Sequence, residues 1–169
     1  MRDISKERAE IDRAIAGQTL CGVFEATAAR RGDADALICG DTRLSWRGYR
    51  ERVRDAALGL AALGFAPGSF GVLLARNRPE HVIADLGIVH AGGTPVSLYT
   101  TLAPEQIGYI AGHCEARVAF VEDAGFLARL EPVRGKLPRL EHVVLMTGSA
   151  PGCVTWDELL ARGRAAHAA

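Results

Sequence analysis

The stretch that decides the fold runs from Phe70 to Asp123 and reads FGVLLARNRPEHVIADLGIVHAGGTPVSLYTTLAPEQIGYIAGHCEARVAFVED. Short apolar runs alternate there with segments in which apolar residues recur every three or four positions. The first pattern is typical of buried parallel strands and the second of amphipathic helices. The stretch therefore predicts an α/β fold with a β-α-β-α-β unit, in which helices cover both faces of a parallel sheet.

Three strands are predicted in this unit, at residues 70–75, 94–98 and 117–121. The two helices between them begin at Pro79 and Pro104, because proline is favoured at the first helical position. Their inward side chains are predicted to be Val82, Ile83, Leu86, Val89 and His90 in the first helix and Ile107, Ile110 and Ala111 in the second.

Upstream of the stretch, capping residues mark two helices after a weakly helical segment at about 7–16. Thr19 suits the N-cap of a helix that ends near Arg31, and Ser45 suits the N-cap of one that ends near Leu63. Their inward side chains are predicted to be Leu20, Val23, Phe24 and Thr27 in the first and Tyr49, Val53, Ala57 and Leu60 in the second.

A β-hairpin is predicted between the two capped helices. Residues 36–39 and 43–46 are rich in strand-forming side chains and flank a Gly-Asp-Thr turn at 40–42, which is a hairpin pattern. Downstream of the stretch, one or two helical turns are predicted at 126–130 and a strand at 143–146.

The chain is predicted to hold one domain, at residues 19–163, after a helical extension at 1–18. Thr155 and Glu158 have the spacing of a capping box for a helix that ends near Arg162. The alanine-rich end at 164–169 is predicted to fray. A length of 169 residues with 49% hydrophobic residues suffices for one buried core.

Composition excludes several classes of function. Twenty basic and twenty acidic residues give zero net charge, which argues against a nucleic-acid partner. The four cysteines are widely spaced without a CxxC pair, so we expect reduced thiols rather than a zinc or redox site. No apolar run suggests a secretory signal or a transmembrane segment, so a cytoplasmic location is expected.

An ordered set of motifs carries a resemblance to a known family. The motifs are Asn-Arg-Pro-Glu at 77–80, Asp-Leu-Gly-Ile at 85–88, Gly-Gly-Thr-Pro-Val at 92–96 and Tyr-Thr-Thr-Leu-Ala-Pro-Glu-Gln-Ile at 99–107. In this order they resemble the N-terminal part of acyl-CoA synthetases in the adenylate-forming (AMP-dependent synthetase/ligase) superfamily. The likeness is strongest to long-chain fatty acid–CoA ligases.

The resemblance implies a Rossmann-like sheet preceded by a helix and a β-hairpin, as a partial N-terminal subdomain of the adenylate-forming ligase fold. It also implies a reaction for the complete family. ATP and a fatty acid give an acyl-adenylate, and the CoA thiol then displaces AMP. Fatty acid and CoA are thus the implied small-molecule partners, and peripheral contact with a membrane that supplies the fatty acid is an open alternative.

The sequence departs from the family at single positions and by omission. His81 stands where many relatives have Trp, Thr100 replaces a proline, and Ala103 stands where a serine would cap the next helix. The phosphate loop with its lysine, the magnesium and ribose ligands and the C-terminal lysine of the family do not occur in this sequence. No catalytic residue, metal ligand or cofactor is therefore predicted for the chain alone, whereas ATP, Mg²⁺ and CoA are implied for the complete family.

One loop is predicted to contribute to a site in a complete enzyme. Tyr99, Thr100 and Thr101 follow the carboxyl end of a strand, where open α/β sheets place ligands. By resemblance they line a wall of the CoA and acyl tunnel, and an ordinary connecting loop is the alternative. The run at 146–152 has small residues but no lysine, which favours a surface turn over a phosphate loop. His90 is predicted to be a packing residue.

The leading hypothesis is an N-terminal fragment of a long-chain fatty acid–CoA ligase, inactive alone. The alternative is a non-catalytic remnant or an interaction subunit that docks on a separately encoded partner. A free-standing nucleotide-binding domain is disfavoured because no glycine-rich fingerprint follows a strand. Strands that are apolar on both faces predict an exposed apolar patch, and hence self-association or dependence on the remainder of a ligase.

Overall fold

The computed structural model describes residues 3–168, which form seven helices and seven strands. The helices are α1 Ile4–Ile15, α2 Leu20–Arg31, α3 Trp46–Ala62, α4 Pro79–His90, α5 Pro104–His113, α6 Ala124–Arg134 and α7 Trp156–Ala168. The strands are β1 Asp35–Cys39, β2 Thr42–Ser45, β3 Phe70–Leu74, β4 Thr94–Ser97, β5 Val118–Val121, β6 His142–Leu145 and β7 Val154–Thr155. The predicted α/β class is confirmed.

A parallel five-stranded sheet with the order β4-β3-β5-β6-β7 forms the centre of the fold. The chain goes from β3 to β4 on one side, crosses back to β5 on the other side, and then continues to β6. The strand order thus reverses at β3. The hairpin β1–β2 forms a separate antiparallel ribbon, as predicted, and its turn uses Gly40 at a φ of 56°.

Helices cover both faces of the sheet. One cluster of buried residues joins α3, α4 and α7 to one face, and a second joins α5 and α6 to the other. Val72, Phe120 and Val143 are each at most 1% exposed. Both faces of the five-stranded sheet are therefore covered within the described residues, and these faces do not supply the predicted exposed apolar patch. Part of this cover comes from α6 and α7, which are both longer than the sequence patterns indicated.

The capping predictions are confirmed. Thr19 Oγ1 accepts a hydrogen bond from the amide of Gly22 at 3.0 Å, and Ser45 Oγ accepts from the amide of Gly48 at 3.2 Å. Thr155 and Glu158 bond reciprocally at 2.8 and 3.2 Å, as a capping box requires. The predicted inward stripe of α3 is also buried.

Two predicted helix stripes are wrong in part. In α4 the buried residues are Ile83, Ala84, Gly87 and Ile88, whereas Val82 is 39% exposed. The reason is that α4 packs against α3 as well as the sheet, and a Cβ at Gly87 would lie 2.9 Å from the Ala56 Cβ. In α2 the buried residues are Phe24 and Ala28, and Leu20 and Val23 are exposed.

The end of the chain also differs from its prediction. α7 continues to Ala168 instead of ending near Arg162, so the part of the predicted fraying tail at 164–168 is helical. Residues 1, 2 and 169 belong to the predicted extension and tail but lie outside the described residues. The division into 1–18, 19–163 and 164–169 as structural units stays a prediction.

The β4 edge of the sheet carries a proline on its open side. The amides of Thr94 and Leu98 donate to carbonyls of the β3 side at 2.9 and 2.8 Å. Since backbone groups alternate along a strand, Pro95 and Ser97 face away from β3. Pro95 has no N–H group to offer there.

Candidate functional site

The carboxyl ends of β3, β4 and β5 meet where the strand order reverses, which is the place where open α/β sheets bind ligands. Each strand is followed there by a polar or aromatic residue. Arg76 lies two residues after β3, Tyr99 two residues after β4, and Glu122 directly after β5. We call this group of strand ends and following residues the carboxyl edge.

The predicted tunnel loop lies at this edge. Leu98 is buried and anchors it, while the Tyr99 side chain is 80% exposed and Thr101 is exposed. The carbonyl oxygens of Thr100 and Leu102 accept hydrogen bonds from two nitrogens of the Arg129 guanidinium. The loop therefore has a defined backbone, but its role in a tunnel stays a prediction.

A buried carboxylate forms the floor of the carboxyl edge. Glu122 is only 5% exposed, and its Oε2 accepts a hydrogen bond from the amide of Arg76 at 2.7 Å. The Arg76 guanidinium bonds the same carboxylate through Nε at 2.9 Å and through Nη2. These hydrogen bonds from Arg76 hold the pKa of Glu122 below its usual value despite burial, so the group stays ionised at neutral pH.

A second ion pair continues the edge toward α4. Arg78 Nε donates to Glu80 Oε2 at 2.7 Å, and this bond helps to lower the pKa of Glu80 although burial opposes the shift. Between these residues and the hairpin lies an open cleft of about 410 Å³, lined also by Thr42 and Arg52. Arg76 and Arg78 are thus each paired with an acidic side chain.

Sequence reasoning missed Glu122, Phe126 and Arg129 as members of the edge. A signal for Glu122 was present, because a charged residue directly after an apolar strand marks the carboxyl end of that strand. Phe126 and Arg129 carried no such signal, since they lie on α6 and reach the edge only through tertiary packing.

The glycine-containing run at 146–152 does not join this edge as a phosphate loop. Residues 147–149 are exposed, and Gly148 and Gly152 have φ values of 80° and 71°. A short strand, β7, separates the run from α7, so no helix N-terminus points at it. The run is a surface turn, as the residues predicted.

His90 is a packing residue, as predicted. Its ring meets the Phe24 ring edge-on with centroids 5.5 Å apart, and its Nδ1 lies 2.8 Å from the Leu86 carbonyl oxygen. Within residues 3–168, no group of three or more His, Cys, Asp or Glu side chains is placed to hold a metal ion. Over the same residues, no helix combines the length and apolarity needed to cross a membrane.

Comparison with known proteins identifies the family. The sequence model of the AMP-binding enzyme family matches residues 24–165. The chain is 33% identical over 151 residues to an uncharacterized protein of Mycobacterium tuberculosis and covers 84% of that protein. It is 32% identical over 154 residues to a long-chain-fatty-acid–CoA ligase of Xenopus laevis and 29% identical over 168 residues to one of Drosophila melanogaster. It spans 21% and 25% of the length of these two ligases.

Solved structures agree with this assignment. The apo structure of MbtA from Mycobacterium smegmatis superposes with a TM-score of 0.81 at 26% identity, over 92% of this chain and 30% of that one. The anthranilate CoA ligase AuaEII in complex with anthranoyl-AMP superposes with a TM-score of 0.76 at 29% identity, over 82% and 26% of the two chains. The fold is that of the N-terminal part of adenylate-forming ligases, and the chain belongs to the AMP-binding enzyme family.

Proposed function

We propose that this chain supplies the N-terminal α/β unit of a long-chain fatty acid–CoA ligase and is inactive alone. The observation that carries the proposal is the family match over residues 24–165, set beside the chain's span of 21% and 25% of the Xenopus laevis and Drosophila melanogaster ligases. A unit of this size gives one wall of an active site at most. The remainder of a ligase is the proposed partner, and the fatty acid, ATP and CoA are its proposed ligands.

The Tyr99–Thr101 loop is the proposed contribution of this chain to the site. It lies at the carboxyl edge, where its exposed side chains point away from the chain's own core. Another part of a complete ligase is then required as the opposite wall of a passage for the acyl chain or the pantetheine arm of CoA. We propose a cytoplasmic location with peripheral contact to the membrane that supplies the fatty acid.

The described residues do not fit an ATP–Mg²⁺ group. A triphosphate needs successive backbone N–H groups and a cation, whereas the run at 147–152 is an exposed turn without a lysine. At the carboxyl edge, Glu122 repels phosphate, and Arg76 and Arg78 are already paired with carboxylates. These residues therefore do not form a site for adenylation, which supports the proposed inactivity of the chain alone.

A second candidate function is a non-catalytic interaction subunit or remnant. The favouring observation is the uncharacterized mycobacterial protein, of which this chain covers 84%, since that relative is of similar size. Helix cover on both faces of the sheet also supports an autonomous unit. Because both sheet faces are covered, self-association through an open sheet face is not expected. Exposed apolar side chains such as Ile11 and Leu20 are the features that still favour self-association.

The direct test measures ATP–pyrophosphate exchange with palmitate and Mg²⁺, using the purified chain and a complete long-chain fatty acid–CoA ligase in parallel. We expect exchange from the complete enzyme only. Exchange by the chain, in protein free of host ligases, would overturn the proposed inactivity.

A chimera separates the two candidates. This chain replaces the matching part of the Xenopus laevis ligase, and palmitoyl-CoA formation is measured. Recovered activity supports a ligase unit. A folded but inactive chimera favours the interaction subunit, especially when the free chain binds the remainder of that ligase in a pull-down.

A further inference from the structure

Arg129 on α6 holds the backbone of the loop after β4. One terminal nitrogen of its guanidinium donates to the Thr100 carbonyl and the other to the Leu102 carbonyl. A planar guanidinium presents several donors in a fixed fork, so two carbonyls bound to it have a fixed separation and direction. The amide of Leu102 also donates to the Tyr99 carbonyl at 3.2 Å, which closes the turn on its other side.

The guanidinium of Arg129 is itself held by an aromatic ring. Its central carbon lies 5.6 Å from the centroid of the Phe126 ring, and that of Arg76 lies 5.8 Å from the same centroid. Both distances are within the range of cation–π attraction. Arg76 is in turn bound to the buried Glu122. One ring thus connects the loop after β4 to the segments that follow β3 and β5.

We propose that Arg129 is the positioning residue for the Tyr99–Thr101 loop, an inference that rests on the proposed role of this loop in the ligase site. Both bound carbonyls turn toward α6, so the side chains of Tyr99 and Thr101 stay on the exposed side. A ligand that packs on this loop then meets a wall that is already ordered, and less conformational entropy is lost on binding. Arg129 acts through the loop and does not touch the ligand.

The test uses the full chain labelled with 3-fluorotyrosine and observed by ¹⁹F NMR. Tyr99 reports on the loop, while the buried Tyr49 and Tyr109, which stacks on His113, are internal references. The variants are Arg129→Gln and Arg129→Lys, and Arg134→Gln is the matched control. Arg134 lies on the same helix but binds Glu131 and the Gly152 carbonyl.

We expect Arg129→Gln to change the Tyr99 signal and to speed hydrogen exchange of the Leu102 amide about tenfold, with the melting temperature unchanged. Arg129→Lys should not restore either value, because one ammonium cannot reproduce the fork. Phe126→Leu, which keeps both carbonyl bonds but removes the ring, should give a smaller change of the same kind. Unchanged exchange and an unchanged Tyr99 signal in Arg129→Gln would overturn the inference, and so would an equal effect of Arg134→Gln.

A titration separates this inference from the proposed function. Coenzyme A and octanoate are added to the unmodified chain and to Arg129→Gln, and the Tyr99 signal is followed. A shift of the Tyr99 signal in the unmodified chain that is smaller in the variant supports both the positioning role of Arg129 and the proposed role of the loop. When the loop loosens in the variant but neither compound moves the Tyr99 signal, in the unmodified chain or in the chimera that supplies the opposite wall, the positioning role of Arg129 stands and the proposed tunnel role of the loop fails.

Discussion

Helices α1 and α7 lie at opposite ends of the described chain, and each differs in burial from what its sequence pattern indicates. α1 carries Ile4, Ile11 and Ile15 on a polar background, yet none of its twelve residues is buried. α7 is rich in alanine and charged residues, yet it buries Trp156, Leu159, Leu160 and Gly163. An amphipathic pattern thus did not decide which helix joins the core.

Close backbone approach explains the packing of α7. A Cβ at Gly59 of α3 would lie 2.3 Å from the Leu159 carbonyl oxygen, and one at Gly163 would lie 1.8 Å from that of Asp55. Two glycines, one on each helix, therefore let α3 and α7 meet at a distance that no side chain permits. The contact brings Leu159 to the sheet, whereas α1 has no such partner among the described residues.

The largest expected effect comes from a matched pair of truncations in the two helices. Leu159→Ala should lower the free energy of unfolding by about 3.5 kcal/mol, because Leu159 is fully buried and a cavity would remain. Ile11→Ala should change it by less than about 0.5 kcal/mol, since Ile11 is 58% exposed. Urea unfolding of both variants provides the measurement. Similar losses would show that α1 packs on the body of the protein in solution.

Gly163→Ala sharpens the same comparison at the helix contact. The added methyl group must push α7 away from α3, and we expect a loss of about 2 kcal/mol. Gly135→Ala is the matched control, because Gly135 has φ −65° and nothing within 4 Å of an added Cβ. Thermal melts of both proteins suffice, and equal melting temperatures would contradict the close approach of α3 and α7.

Glu122→Gln tests the contribution of a buried charge, and it should lower the free energy of unfolding by less than Gly163→Ala does. The folded state holds the pKa of Glu122 below 4.5, its ordinary value, so the pair with Arg76 stabilises the protein above that pH. This stabilisation is lost as the pH falls through the folded-state pKa. The difference in unfolding free energy between Glu122→Gln and the unmodified chain should therefore be greatest near pH 7 and shrink below about pH 4. A difference that stays constant with pH would mean that Glu122 is not paired.

The smallest expected effect is a gain in the free energy of unfolding from a substitution just after α5. Glu115 has a φ of 52°, a left-handed conformation that costs a side-chain-bearing residue free energy. Glu115→Gly should raise the unfolding free energy by about 0.5 kcal/mol. Glu115→Ala removes the same carboxylate, which lies 3.9 Å from Arg139, without relieving the backbone. Only the glycine variant should melt at a higher temperature.

Local chemistry was readable from the sequence. Thr19, Ser45 and Thr155 each precede a helix, and the hydroxyl of each accepts a hydrogen bond from the backbone amide three residues later. This capping interaction does not depend on where the helix lies in the fold. The central strands were readable because burial on both faces demands continuous apolar runs. Both kinds of signal are contained in a few consecutive residues.

Long-range contacts were not readable in the same way. The ion pair between Arg76 and Glu122 joins residues 46 positions apart, and the sequence around either residue does not indicate which residue it will contact. Helix faces built on small residues were also missed, because Gly87 and Gly163 are buried by helix–helix approach and not by their own hydrophobicity. The contact between Arg129 and the Tyr99–Thr101 loop is likewise long-range, because Arg129 lies 29 and 27 positions from the two residues whose carbonyls it binds.

The edges of the sheet set the geometry of any assembly that contains this unit. On the β4 side, Pro95 removes a donor that an incoming strand would need. On the other side, β7 has only two residues, and the Thr155 amide is already bound to Glu158. A partner that adds a strand is therefore disfavoured at both edges. A partner should bind instead through helix surfaces and loops, and the sheet offers little template for fibrillar growth.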